Sequence, residues 1–224
     1  MHQRTILYIQ RHKNMKKTVI ILILLSISKL IWAQNNPDFT LKISFNHSES
    51  VAGGKKIDIT ATPFKNGYKL LYSMRDSVRN TLLKEDSAFK GIKEELDKEI
   101  SNERMTELVP SIKLLVDKYS VFTKDSVVIN KLDYPNLSNL IELVKKKDEK
   151  FTSEMEKKDV RVLIGNIRFN ISFYLDSKIT QDYVLTTPTK DSYPLFYSLV
   201  KDLLLVYRDK ASNSFLNREN TFYY

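Results

Sequence analysis

Across residues 167–176 apolar and polar positions alternate: Ile167, Phe169, Ile171, Phe173 and Leu175 fall on one parity, Arg168, Asn170, Ser172, Tyr174 and Asp176 on the other. Period two predicts a strand with one buried and one solvated face. Val160, Val162 and Ile164 carry the opposite parity, and Gly165-Asn166 sits where the phase breaks. A two-residue hairpin turn with Gly supplying positive φ is favoured there over a bulge that resets the phase. A polar turn over 177–182 and a short strand over 183–187 complete this stretch.

The period then becomes helical. Asp191 and Ser192 offer capping oxygens, and Pro194 falls in a first turn where its missing N–H costs little. Leu195, Phe196, Leu199, Val200, Leu203, Leu204 and Tyr207 form one stripe, with Ser198, Lys201, Asp202, Arg208 and Asp209 outside it and Leu205 the one apolar residue among them. That stripe predicts a helix packed on the Phe169/Phe173 face, each large side chain contributing about 1.5–3 kcal/mol on burial.

Earlier in the chain Phe39, Leu41, Ile43 and Phe45 alternate with polar residues, as do Ile57, Ile59 and Ala61, predicting two antiparallel strands. Pro63 and Asn66-Gly67 mark a turn before a third strand over 68–74. Val78, Leu82, Phe89, Ile92, Leu96 and Ile100 predict a helical segment over 76–108, with Lys90, Glu94 and Lys98 stacked outside and Gly91 weakening it by about 1 kcal/mol relative to Ala. Pro110 divides this segment from a shorter helix over 111–119, a strand follows over 121–130, and Tyr134-Pro135-Asn136 opens a helix carrying Leu137, Leu140, Ile141, Val144, Phe151 and Met155 on one side. Together these elements predict an α+β fold: an antiparallel sheet of N- and C-terminal strands, a helical middle segment, and a C-terminal amphipathic helix packed on one face.

Charge and compartment change the picture. The 224 residues carry 36 Lys and Arg against 27 Asp and Glu, a net charge of +9. Six of the basic residues, Arg4, Arg11, Lys13, Lys16, Lys17 and Lys29, lie in residues 1–33, which contain no acidic residue. An apolar run over 18–27 and the small residue Ala33 before Gln34 complete the layout of a secretory signal peptide, with Met15 the natural initiator. The run is shorter than the about 20 apolar residues of a membrane span, so cleavage after Ala33 is expected, an uncleaved anchor over 18–32 being the rival. Cleavage takes Lys plus Arg from 36 to 30 against the same 27 acidic residues, a net charge of +3. The argument for nucleic-acid binding from net charge then largely disappears. Residues 34–224 are expected to form a single exported domain. The absence of cysteine, with Lys-, Asn- and Ile-rich composition, points to a bacterial protein secreted or held in the periplasm, without a lipid anchor.

Little catalytic chemistry is visible. His2 and His12 leave with the leader, and His47 alone supplies neither a metal site nor a nucleophilic triad. Gly53-Gly54-Lys55-Lys56 lacks the first glycine and the hydroxyl residue of a phosphate loop. The pairs Glu94/Glu95 and Glu154/Glu156 and the run Lys145-Lys146-Lys147 read as solvated helix faces. No cofactor and no metal are expected. The surface singled out for binding is the polar parity of the 167–176 strand: Arg168, Asn170, Ser172 and Tyr174 project together, a mixture suited to a peptide or a sugar and equally to plain solvation. The expected function is a non-catalytic binding or interaction module of the bacterial envelope with a protein or glycan partner. The alternative is a hydrolase of envelope polysaccharide or peptide working through carboxylates alone, which requires two of them facing each other in a cleft.

Overall fold

The computed structural model describes residues 39–47, 54–159, 166–222 and 224; the expected leader, the strand over 160–164 and its turn at Gly165 lie outside them. Six strands, β1 (Phe39–His47), β2 (Lys56–Phe64), β3 (Gly67–Val78), β4 (Ser120–Asn130), β5 (Ile167–Leu175) and β6 (Lys178–Thr186), form one sheet in the order β4-β3-β2-β1-β5-β6. Every neighbouring pair is antiparallel. Helices α1 (Asn80–Glu85), α2 (Ser87–Leu96) and α3 (Asn102–Lys118) join β3 to β4, α4 (Pro135–Lys145) and α5 (Glu149–Glu156) lie between β4 and β5, and α6 (Pro194–Lys210) follows β6. The fold is α+β, with α6 packed on one face of the sheet.

Strand alternation sends Leu41, Ile43 and Phe45 of β1, Ile57, Ile59 and Ala61 of β2, Leu70 and Tyr72 of β3, and Phe169, Ile171 and Phe173 of β5 into one core with Phe196, Leu199, Val200, Leu203, Leu204 and Tyr207 of α6. Phe45 stacks on Phe169 with ring centroids 4.7 Å apart, and Phe196 meets Phe169 edge-on at 5.4 Å. Helices α4 and α5 pack beside α6 on this face, burying Leu137, Ile141, Val144, Phe151 and Met155. Gly67 is required where it stands, because a Cβ there would lie 1.7 Å from the Ile129 carbonyl oxygen of the neighbouring strand.

Several expectations are corrected. The strand expected over 183–187 begins at Lys178, since Asp176 and Ser177, at φ 49° and 63°, close a two-residue hairpin. Its polarity reads as a turn because β6 is an edge strand, exposed on both faces in its first half. The helical spacing from residue 76 gives way to sheet pairing, which carries β3 to Val78 opposite Ser120 through a bulge between Arg75 and Ser77. The remainder is cut by Asp86, whose carboxylate accepts the Ala88 and Phe89 N–H groups at the start of α2. Pro110 does not divide two helices: α3 runs through it, and Leu108 and Val116 on either side are both buried. The helix expected over 135–155 is two helices, interrupted where Lys147 takes φ 54° and Asp148 caps α5 through the Lys150 N–H at 3.0 Å.

The ends of α6 also differ from expectation. Neither Asp191 nor Ser192 caps it; Ser192 exchanges hydrogen bonds with Thr189, and Tyr193, in the N-cap position, does not cap the helix with its side chain. The cap comes from Glu154 of α5, whose two oxygens accept the Leu195 and Phe196 N–H groups at 3.0 and 2.8 Å. Glu154 is therefore half-buried and engaged, not an idle solvated residue. Arg208 does not stay outside either: its guanidinium donates to the Leu216 carbonyl at 3.3 Å, the Thr221 hydroxyl at 2.8 Å and the Tyr224 carbonyl at 2.6 Å. This ties down a C-terminal tail whose Leu216 and Thr221 are fully buried.

Candidate functional site

The polar parity of β5 projects as expected on the face opposite the core, beside Thr40, Lys42, Ser44 and Asn46 of β1. The register sets Arg168 opposite Asn46, Asn170 opposite Ser44, Ser172 opposite Lys42 and Tyr174 opposite Thr40. At about 3.4 Å per residue the row from Arg168 to Tyr174 spans roughly 20 Å, so the four residues share a face without meeting at a point. Ser172 donates to Asp182 of β6 at 2.7 Å, and Arg168 is exposed. Of the four, Asn170 lines a cleft that does not include the other three.

That cleft, of about 190 Å³, opens where α3 passes over the polar face, and is lined by Ser44, Asn46, Lys56, Arg75, Lys113, Asp117 and Asn170. Its floor is built by strand pairing: Ser44 faces both Asp58 of β2 and Asn170 of β5, and Asn46 faces both Lys56 and Arg168. Arg75 stands on the solvent-facing parity of β3, yet only 5 % of its side chain is exposed. Its Nε and Nη2 donate to the Gly54 carbonyl at 3.0 and 2.5 Å, and its Nη1 lies 3.7 Å from Asp117 of α3. Lys56 Nζ binds the other oxygen of Asp117 at 2.5 Å, and Ser44 donates to Asp58. Burial pulls the Arg75 guanidinium below its ordinary pKa, with Asp117 and then Asp58 acting against that pull; an arginine keeps its charge at any physiological pH all the same.

The insertion that supplies the roof is held by its own contacts. Asp86 accepts from Lys118 Nζ at 2.8 Å and the Tyr119 hydroxyl at 2.7 Å, and these bonds, with those from Ala88 and Phe89, hold its carboxyl well below the usual range against the opposing effect of desolvation. Arg104 of α3 clasps Glu95 of α2, its Nε 2.5 Å from the carboxylate. Leu83, Leu108 and Val116 are buried apart from the main core.

A second depression, about 390 Å³, lies on the outer side of α4 and α6 among Asp133, Tyr134, Leu137, Asp202, Leu205, Val206 and Asp209. Burial lifts the Asp202 carboxyl above its ordinary pKa, while the Tyr134 hydroxyl, donating at 2.6 Å, and then Lys210 hold that of Asp209 below it. A broader hollow of about 1130 Å³ between α5 and the start of α6 takes in Glu154, already committed as a cap. Among the described residues no group of three or more His, Cys, Asp or Glu side chains is placed to hold a metal ion, and no helix is long and apolar enough to cross a membrane.

Of the residues lining the cleft, Asn170 is among those the alternation of β5 singles out, while Lys56, Arg75 and Lys113 are not. The available signal was that Lys56 and Arg75 share the polar parity of neighbouring strands with Asn46; what turns this into a cleft is α3 lying above it. Comparison with family models, with curated proteins and with solved structures finds no match to the chain.

Proposed function

We propose that the chain is an exported, non-catalytic binding module of the bacterial envelope, and that the polar face of its sheet, with the cleft beneath α3, receives a protein or glycan partner. The observation that carries this reading is the cleft: a polar recess on the sheet face, where the side chains of Asn46, Asn170 and Lys113 have no hydrogen-bond or ion-pair partner among the described residues. Polar groups gathered in a concave site with their bonding capacity unspent are what a ligand site needs. Replacing Arg168 and Tyr174 together by Ala should abolish capture of the partner from envelope fractions in a pull-down while leaving the thermal melt near that of the parent; undiminished capture would move the site off this face. The leader supports the export half of the proposal, tested by intact mass and N-terminal sequencing of the exported chain. A start at Gln34 and tyrosine-type fluorescence, Trp32 being the only tryptophan, are expected; a chain beginning at Met1 or Met15 in the membrane fraction would instead favour the anchor.

Hydrolysis through carboxylates is the second reading, and Asp202 and Asp209 are what favour it: one carboxyl lifted and one held down in one depression is the pattern of an acid and a base. Their seven-residue spacing on α6 separates them by roughly 10 Å of helical rise, at or beyond the about 6.5–9.5 Å of an inverting pair. Asp209 is also engaged by Tyr134. Turnover of a glycan or peptide that is lost in Asp202→Asn would establish hydrolysis over binding.

A further inference from the structure

We propose that the cleft beneath α3 is an oxyanion site, taking one carboxylate- or phosphate-sized group between Lys113 and the side-chain amides of Asn46 and Asn170. This inference rests on the reading of the polar face as the binding surface and names the chemistry that the surface recognises.

Size comes first. At about 190 Å³ the cleft is smaller than the roughly 300–1,000 Å³ of a site that swallows a whole small molecule. It admits one functional group of a larger ligand, or a small free anion. Charge selects which group. Three cations, Lys56, Arg75 and Lys113, line the cleft against one carboxylate, Asp117. Asp117 is already divided between Lys56 at 2.5 Å and Arg75 at 3.7 Å. Lys113 lies one turn before Asp117 on α3 and has no ion pair among the described residues. The other nearby carboxylate, Asp58, accepts the Ser44 hydroxyl and keeps its charge, so the three cations exceed the two carboxylates by one. Arg168, exposed and directly across from Asn46, adds a fourth cation at the next row of the sheet. A positive surplus partly withdrawn from water attracts an anion more strongly than the same charges in bulk solvent.

Geometry then supplies the ligands. Asn46 and Asn170 stand diagonally on adjacent strands, about 7–8 Å apart by sheet spacing, a gap that one carboxylate or phosphate bridges with a hydrogen bond to each amide. Lys113 approaches the same recess from α3, as a flexible ammonium suited to an anion of either shape. Arg75, fixed by the Gly54 carbonyl, stays in the floor as standing positive charge, and Lys56 neutralises Asp117 so that it does not repel the ligand.

The test is calorimetric or NMR titration of the full purified chain with inorganic phosphate, with sodium glucuronate, and with glucose as the neutral control, each at about 50 and 200 mM salt. Saturable one-to-one binding of at least one anion, none of glucose, and weaker binding at the higher salt are expected. Lys113→Gln should weaken that binding about tenfold, as loss of one charge-assisted hydrogen bond does. Lys113→Arg should retain most of it, Asn170→Ala should weaken it, and Lys146→Gln, whose exposed side chain is no part of the cleft, should not change it. Tighter binding of phosphate or of glucuronate identifies which oxyanion the site is built for. No saturable binding of either anion, or Lys113→Gln and Asn170→Ala binding like the parent, would overturn the oxyanion site. If partner capture still depends on Arg168 and Tyr174 in that event, the binding face stands and the inference alone fails; if capture is undiminished without them, the binding site moves off this face as well.

Discussion

On one face of the sheet Phe45, Phe169 and Phe196 are packed ring to ring and fully buried; on the other Arg75, almost as well hidden, is held by a carbonyl and a shared carboxylate. The first kind of burial is non-directional and draws on apolar area, so it needs only that each strand and helix keep its period. The second kind needs specific partners: Gly54, Lys56 and Asp117 come from a loop, a neighbouring strand and a helix 61 residues further along the chain from Lys56. The core face is thus redundantly specified, and the polar face depends on one insertion being in place. Side chains with unspent hydrogen-bonding capacity, Asn46, Asn170 and Lys113, lie together on the second face, which is what the proposed binding role draws on.

The comparison breaks first if the core face tolerates charge. Leu204, with no exposed surface, has no partner to offer a carboxylate, and Leu204→Asp should cost roughly 4 kcal/mol or more in urea unfolding. Arg75→Ala should cost less, about 1–3 kcal/mol, for the Gly54 carbonyl left without its donor. An equal loss at both positions would mean that the cleft floor is as integral to stability as the core.

Smaller effects sharpen the contrast. Glu154→Ala should lower stability by about 1 kcal/mol through the loss of the α6 cap, with Asp191→Ala close to neutral. The reverse order in denaturant melts would return the cap to the local sequence. Asp86 has its pKa depressed on folding, so its contribution is present above the unfolded value of about 3.9 and is lost as pH falls from there towards the lower folded value. Asp86→Asn should accordingly flatten the acid limb of stability against pH, and an unchanged limb would remove Asp86 as the anchor of the roof. Lys146→Gln, on an exposed turn, should stay within about 0.5 kcal/mol of the parent.

Strand β5 and helix α6 were legible because their apolar residues obey one period from end to end and face a single core. Misread segments are those where tertiary contact outweighs local pattern. Sheet pairing claims residues 76–78 from a helical spacing, the buried pair Leu108 and Val116 carries α3 through Pro110, and the exposed edge hides β6 as a turn. Residues 211–222 and 224 show no period, and are held through the carbonyls and hydroxyl that Arg208 gathers.

The candidate site divides in the same way. By itself the sequence determined which residues share the polar parity of β5, because side-chain direction in a strand follows from counting by two. It likewise determined the α+β class and the stripe of α6. Only the tertiary structure decided that Asn170, and not its three companions, lines a recess with Lys56, Arg75 and Lys113. The physical reason is range: periodicity records how each residue stands to its near neighbours. The cleft exists only where α3 returns across β1, β2, β3 and β5, and that meeting of distant segments leaves no mark in local pattern.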